Sequence, residues 1–346
     1  MSDLRLRLGQ NLGLLLAIGL FLLFYAFYNF NHPRGFSPQV LNQNANEAFA
    51  LIMVGMAQTV PALMGGLDLS VGAVMTMVNC AASYLLVGSP LQIVLGAIVC
   101  AGMGLAAGFI NGCVIVYGRI QPIIATLATG AVYMGIALFM RPTPGGDIDP
   151  DLSWALTNDI YELFATYGAA DLVETGWLAP IAWIPLPIIM LVVLVLLVWI
   201  PFRRSVTGRG VYAIGSAEGA AYMSGVPIDR SKIAAFTLAG FFAGLGGLYL
   251  ALQTSSGNAD VPQAGAYTLN SIAAVVIGGT SLLGGTGGAI GSIFGALVIR
   301  AISFNFRIFD LDPLLQPLFE GIILLGAVSI GAARVFRVRN RLELFS

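Results

Sequence analysis

The sequence predicts an all-α integral membrane protein of about ten transmembrane helices, with an internal pseudo-repeat and both termini cytoplasmic. Three observations lead there. Of the 346 residues, 58% are hydrophobic and 10% charged, where an ordinary soluble domain carries roughly 25% charged residues. Charge-free apolar runs recur at the length a span needs, about 20 residues for a hydrocarbon core of about 30 Å. The basic residues also sort to one side of the topology that those runs produce.

Residues 8–33 form the first run; it lacks a small-residue cleavage pattern and reads as a retained span rather than a signal peptide. Residues 48–67 form the second. Residues 69–118 rise about 1.5 Å each in a helix and far exceed one bilayer, so they fold back, with Gly88, Ser89 and Pro90 as the natural turn. Runs follow at 120–140, 175–202, 233–259 and 261–299, the last broken into two passes around residues 284–288. A final run, 313–333, is interrupted only by Glu320. The 43 glycines suit a membrane bundle, where small residues let helix backbones approach closely. Cys80, Cys100 and Cys113 lie in apolar segments without a neighbouring histidine and read as core residues; His32, the only histidine, cannot build a metal site alone.

With the N-terminus inside, Arg5, Arg7, Arg119, Arg203, Arg204, Arg209, Arg230, Lys232, Arg334, Arg337, Arg339 and Arg341 are cytoplasmic. Only Arg34, Arg141, Arg300 and Arg307 fall outside or near the outer face, so the positive-inside rule holds. Within a single transmembrane domain spanning 1–346, two large loops remain. The outer one, about 141–181, carries Asp147, Asp149, Asp151, Asp159, Glu162, Asp171 and Glu174 and no base after Arg141. The inner one, about 202–231, is basic and includes SAEGAAYMSGV, too short and polar to span.

Ionisable groups separate the classes of membrane protein. Ion-coupled transport usually needs several interior acids, and only Asp68 and Glu320 are candidates. A phosphate-binding loop needs GxxxxGK[ST], and the only lysine, Lys232, lies in DRSKIAA. The chain therefore carries no ATPase site of that type and no cofactor of its own.

GGLDLSVGA from Gly65, QPIIATLATG from Gln121, GRGVYAIGSAEGAAYMSGVPIDRSK from Gly208 and SIAAVVIGGTSLLGGTGGAIG from Ser271 follow one another along the chain. These motifs resemble the ordered signatures of ribose/galactose-type ABC sugar importer permeases, over about residues 45–333. The resemblance implies a multi-pass protein of the bacterial inner membrane that passes a monosaccharide or related polyol by alternating access. It further implies a second permease chain, identical or paralogous, two ATP-binding subunits holding ATP and magnesium, and a periplasmic sugar-binding protein. Membrane lipid is the remaining partner, and no nucleic acid is expected. Permeation of another small polar solute, a branched-chain amino acid or a nucleoside, is the alternative within the class; an ion-coupled secondary transporter is the alternative outside it.

The resemblance places a coupling helix in the inner loop at about Glu218 to Gly225, with Ser216 as N-cap and Gly225 and Pro227 as stop. Ala220, Ala221, Tyr222, Met223 and Ser224 would present an apolar knob between polar flanks, suited to a groove on a partner. Arg34, Arg141 and Arg307 are candidates for docking the binding protein. Gln58, Thr59, Asn79, Asn111, Thr126, Thr129 and Asn270 are candidates for a neutral polar path, and each also reads as interhelical hydrogen-bond glue, the more usual job of polar residues within membranes. The chain departs from the family pattern at Thr268 and Asn270, where acids are usual, and at Ala217, where Asn is frequent.

VPALMGGLDLSVGAV and AAVVIGGTSLLGGTGGAI share an apolar approach, a Gly-Gly pair and a polar stretch, which aligns Gly65-Gly66 with Gly278-Gly279. Paired interruptions in two halves of a transporter point to an internal repeat. Asp68, assisted by Ser70, is expected to cap a helix that starts near Leu69.

Overall fold

The computed structural model describes residues 12–322 and 325–326. Arg5, Arg7, Arg334, Arg337, Arg339, Arg341 and most of the last apolar run lie outside the described residues. The described chain is helical, and six of its helices are long and apolar enough to cross a membrane.

The elements are α1 (Leu12–Asn31), α2 (Pro38–Ala62), α3 (Val71–Leu85), α4 (Pro90–Gly118) and α5 (Pro122–Met140). Three short helices follow, α6 (Pro150–Thr157), α7 (Ile160–Thr166) and α8 (Asp171–Glu174). Then come α9 (Leu186–Arg204), α10 (Val206–Met223), α11 (Ile228–Thr254), α12 (Val261–Ile277) and α13 (Ala289–Ile308). The local starts follow simple chemistry. Proline, whose missing N–H would have no helical partner, stands in the first turn of α2, α4, α5, α6 and α12. The expected turn at Gly88 is a capping box in which Ser89 N–H donates to Gln92 Oε1 at 2.8 Å.

The second span differs from its expectation at both ends. It was expected over 48–67, yet α2 begins at Pro38, because Asn42 and Asn46 face protein rather than lipid. Asn42 Nδ2 donates to Asn158 Oδ1 at 3.2 Å, and Asn46 Nδ2 to Asn42 O at 2.9 Å. Hydropathy alone cannot see such partners. The outer loop is likewise ordered: Ile160, Val173, Leu178 and Ala182 form a small apolar cluster of their own. Asp149 and Asp159 cap α6 and α7, and the Tyr161 hydroxyl donates to Glu174 at 3.1 Å, a bond that with the Glu174 charge pushes the phenol pKa up.

Two elements of ordinary spanning position are short. α3 has 15 residues and α12 has 17, about 22 and 25 Å of helix, less than the hydrocarbon core. Both end in irregular chain, at 63–70 and 278–288. At the opposite end of the bundle Gly145 pairs with Gly257, joining the outer loop to the α11–α12 connection.

The core is built around α11, which packs on α4, α2 and α3. Gly104, Gly108 and Gly112, four residues apart on α4, face Gly240, Gly244 and Ile233 on α11. A Cβ at Gly108 would lie 2.2 Å from Phe236 O, and one at Gly240 would lie 2.2 Å from Gly104 O. The helices touch backbone to backbone, which is how membrane helices gain dispersion contact without a hydrophobic driving force. Gly108→Ala is therefore expected to lower stability by ~1–3 kcal/mol, read as a drop in the thermal midpoint of the detergent-purified protein. Gly102→Ala, with nothing within 4 Å of the new methyl, serves as the neutral control.

Candidate functional site

The first break is held by a chain of buried polar groups. Asp68, 1% exposed, does not cap α3 as expected; that helix starts at Val71 after Ser70, which makes no side-chain cap bond. Instead Asp68 Oδ1 accepts from Ser70 N–H at 2.8 Å and from Ser70 Oγ at 2.6 Å, an Asx-type turn placed before the helix. The expectation fails because the irregular segment is two residues longer than the sequence suggested. Around this turn, Asn111 Nδ2 donates to Ser70 Oγ at 2.8 Å, Tyr133 donates to Asn111 Oδ1 at 3.1 Å, and Leu69 N–H donates to Thr126 Oγ1 at 2.9 Å. The Gln58 amide, oriented to satisfy both groups, donates to Asp68 O at 2.8 Å and accepts from Asp68 N–H at 3.3 Å. Asn111 lies seven residues before the end of α4, about 10 Å of helix, so the break sits inside the helical layer. Broken backbone at that depth is tolerated only where protein satisfies it.

The second break repeats the first with a corrected register. α2 ends with Gly65 N–H donating to Ala62 O and Gly66 N–H to Pro61 O, and Gly65 has φ +75. α12 ends with Gly279 N–H donating to Val276 O and Thr280 N–H to Val275 O, and Gly279 has φ +81. Both are Schellman ends with glycine in the left-handed position, so Gly65 corresponds to Gly279. The sequence alignment of Gly65-Gly66 with Gly278-Gly279 is off by one, because a Gly-Gly pair does not reveal which glycine takes positive φ. The role of Gly278 is packing: a Cβ there would lie 2.2 Å from the Gly291 backbone.

The two breaks meet each other and the inner loop. Gly285 N–H donates to Leu63 O at 2.9 Å. Gly215 of α10 lies against both: its Cβ would stand 1.9 Å from Leu63 O and 2.5 Å from Gly285 N. Tyr212 on the same helix donates to Gly287 O at 2.9 Å.

The inner loop is longer in helix than its sequence indicated. α10 runs from Val206 to Met223 and is interrupted once, at Ala217, whose φ −166 and ψ 99 are extended. Ser216 is thus not the N-cap of the terminal segment; it ends the preceding helical stretch, with Oγ donating to Tyr212 O at 2.9 Å. The extended residue before Glu218 is Ala217, in the position where a capping side chain would act. Glu218 joins Lys232 at 2.6 Å, tying the segment to the start of α11. Tyr222 and Met223 are 71% and 84% exposed, and Ala220, Ser224 and Gly225 are exposed with them, while Ala221 is only 4% exposed and packs inward. The apolar knob is therefore Tyr222 and Met223, without Ala221. Gly225, φ +76, stops the helix: its N–H donates to Tyr222 O and Val226 N–H to Ala221 O. Between this segment, the first break and the α4–α5 turn lies a cavity of about 510 Å³ whose lining includes Gly66, Arg119, Gln121, Glu218 and Lys232.

Five of the seven expected path residues, Gln58, Thr59, Asn79, Asn111 and Thr126, are at most 2% exposed. All five are engaged inside the subunit: Thr59 donates to Ser292 Oγ at 2.6 Å and Asn79 Oδ1 accepts from Asn258 N–H at 2.9 Å, beside the bonds already given. They link helices. Thr129 is half-buried and Asn270 is half-buried, bonded to Glu320 at 3.0 Å. Thr268 Oγ1 accepts from Gly72 N–H at 3.2 Å, a hydroxyl's work at the first turn of α3. Of the docking cations, Arg307 is held by Glu47 at 2.6 and 2.8 Å and Arg141 lies 4.0 Å over the Tyr84 ring, while Arg34 is exposed. Sequence reasoning missed Tyr133, Ser292 and Gly215; the first two looked like ordinary span residues, and only Gly215's place before the inner segment was a signal. Among the described residues no cluster of His, Cys, Asp and Glu could hold a metal.

Asp68→Asn keeps the acceptor that Ser70 uses, whereas Asp68→Leu leaves buried donors unpaired at roughly 1–3 kcal/mol. The Leu variant is expected to lose folded protein in size-exclusion analysis while Asn retains it. Ala217→Asn should raise the thermal midpoint, since a polar N-cap contributes about 0.5–2 kcal/mol to a helix.

The chain matches the family model described as branched-chain amino acid transport system / permease component over residues 41–328. It is 34% identical over 281 residues to the ribose import permease protein of Haemophilus influenzae, covering 81% of this chain and 80% of that protein. The ribose import permease protein of Bacillus subtilis is 34% identical over 277 residues, 80% of this chain and 79% of its own length. The D-allose transport system permease protein of Escherichia coli K12 is 28% identical over 283 residues, 81% and 79% of the two chains. No solved structure gives a significant match. With the match running through both helix breaks and the inner helix that touches them, the chain belongs to the family of branched-chain amino acid transport system / permease components.

Proposed function

We propose that this chain is the transmembrane permease subunit of an ABC importer that moves a monosaccharide or related polyol across a bacterial inner membrane. About ten spans place both termini in the cytoplasm. A second permease chain, two ATP-binding subunits and an external sugar-binding protein complete the machine, with ATP and magnesium on the ATP-binding subunits. The similarity to ribose and allose permeases supports the cargo class. The observation that carries the mechanism is the contact of Gly215 with both helix breaks, next to a segment that points Tyr222 and Met223 away from the chain.

An ATP-binding subunit that grips Tyr222 and Met223 would displace the segment beyond Ala217. The extended backbone there acts as the joint, and the Glu218–Lys232 pair carries part of the displacement to α11. Through Gly215 and Tyr212 the same movement reaches the ends of α2 and α12. Those ends are where irregular backbone already interrupts the layer, so α3 and α13 can tilt about them. The description of the matched family leaves a branched-chain amino acid as second cargo, while the similarity to ribose and allose permeases favours an uncharged hydroxylated solute.

Proteoliposomes holding the chain with its ATP-binding subunits and binding protein should accumulate labelled sugar only with ATP, independently of proton or sodium gradients. Accumulation without the ATP-binding subunits would exclude this reading. Within that assay, Tyr222→Asp and Met223→Glu should each cut import by about tenfold or more, the scale of a lost hot-spot contact, while the variant still inserts. Ala221→Ser, at the buried position, should leave docking intact.

A further inference from the structure

A second polar group lies within the helical layer, away from the breaks. Tyr267 and Asn270 are one turn apart on α12, and Arg300 and Ser303 are one turn apart on α13. Arg300 Nη2 donates to Tyr267 Oη at 3.0 Å, and its guanidinium carbon lies 5.6 Å from the ring centre. Asn270 Nδ2 donates to Glu320 Oε2 at 3.0 Å. Gln316 Nε2 reaches both Glu320 Oε1, at 2.7 Å, and Ser303 Oγ, at 2.9 Å. Tyr267 and Asn270 stand six and nine residues into α12, and Arg300 eight residues before the end of α13. At about 1.5 Å per residue they lie roughly 9 to 14 Å below the outer helix ends.

Ionisable groups at such depth are costly and mark solute pathways more often than scaffolding. Tyr267, Asn270, Arg300 and Glu320 are also all half-buried rather than sealed. The polar links around Asp68, by contrast, are closed off. Arg300 Nε has no partner among the described residues. The neighbouring face of α12 exposes the polar Gln263 and the small Gly265 and Ala266 beside Val261 and Leu269.

We infer that Tyr267, Asn270, Arg300 and Glu320 form a cargo-contacting station in the outer half of the path, built for a neutral polyhydroxylated solute. A guanidinium and an amide donate, a carboxylate accepts, and the tyrosine ring offers an apolar face beside its hydroxyl; sugar and polyol hydroxyls need both donor and acceptor in this arrangement. Asn270 offers a donor beside the carboxylate of Glu320. The inference rests on the importer reading and deepens it.

Two measurements test it. Single cysteines are placed at Ala266 and Asn270, and at the exposed apolar positions Ile98 and Val132, with the unaltered chain as background for its three native cysteines. A charged, membrane-impermeant methanethiosulfonate reagent is applied from outside to the assembled complex. Cysteines at 266 and 270 should react, at a rate that changes when ATP and vanadate arrest the cycle, and those at 98 and 132 should not. Reaction at 266 and 270 only with a lipid-soluble maleimide would overturn the station. Separately, Tyr267→Phe, which removes one hydroxyl and keeps the ring, should lower sugar imported per ATP hydrolysed by about tenfold, the effect of one lost hydrogen bond to cargo. Import equal to the unaltered complex in both Tyr267→Phe and Arg300→Gln would also overturn it. If the unaltered complex imports no sugar, the cargo reading fails while the labelling result stands by itself.

Discussion

The structure depends on one crowded point, where the ends of α2 and α12 and the middle of α10 come within backbone contact of each other. Leu63 O, Gly215 Cα, Gly284 and Gly285 N share a volume in which no β-carbon fits. Gly284 makes the case sharply: a Cβ there would lie 2.7 Å from Gly215 Cα and 2.8 Å from Gly65 N. In the middle of a helix a glycine costs conformational entropy. Here that cost is offset by close contact of three backbones, in which Gly285 N–H donates to Leu63 O and the Tyr212 hydroxyl to Gly287 O.

The arrangement at this end of the bundle follows from this contact. Because α2 and α12 must stop there, α3 and α12 are shorter than the layer, and the freed N–H and C=O groups need partners. Two Schellman ends supply some of them, and the turn at Asp68 supplies others. The polar residues Gln58, Asn111, Thr126 and Tyr133, drawn from α2, α4 and α5, then hold that turn in place. The second break is held differently, by Thr280 Oγ1 accepting from Gly288 N–H at 3.1 Å and by Tyr212 on α10. One break is therefore fixed by the membrane helices, and the other is fastened to α10.

Much of this was legible in the sequence. Six spans, the fold-back at Gly88 to Pro90, the two glycine breaks and the stop at Gly225 all rest on local chemistry, on hydropathy, proline and glycine. What was hidden rests on partners distant in the chain. The amide-rich start of α2 looked like loop because Asn158, which receives Asn42, lies 116 residues away. The role of Gly215 depends on Leu63 and Gly285, and the helical rather than linker character of 206–216 depends on packing. Ala221 was misjudged for a related reason: periodicity names a residue's type but not which face of a short, kinked helix is covered. Asp68 was seen to belong to a break with Ser70 beside it, and the helix start that follows was misplaced by two residues.

The direct test of the account is made at Gly215. In the complete complex reconstituted in liposomes, Gly215→Ala places a methyl 1.9 Å from Leu63 O, so the inner helix must move away from the breaks. Sugar import should be abolished while the variant still inserts, binds its ATP-binding subunits and hydrolyses ATP, whereas Gly219→Ala, with nothing within 4 Å, imports normally. Import by Gly215→Ala at the rate of the unaltered complex would contradict the claim that the three-way glycine contact transmits the movement.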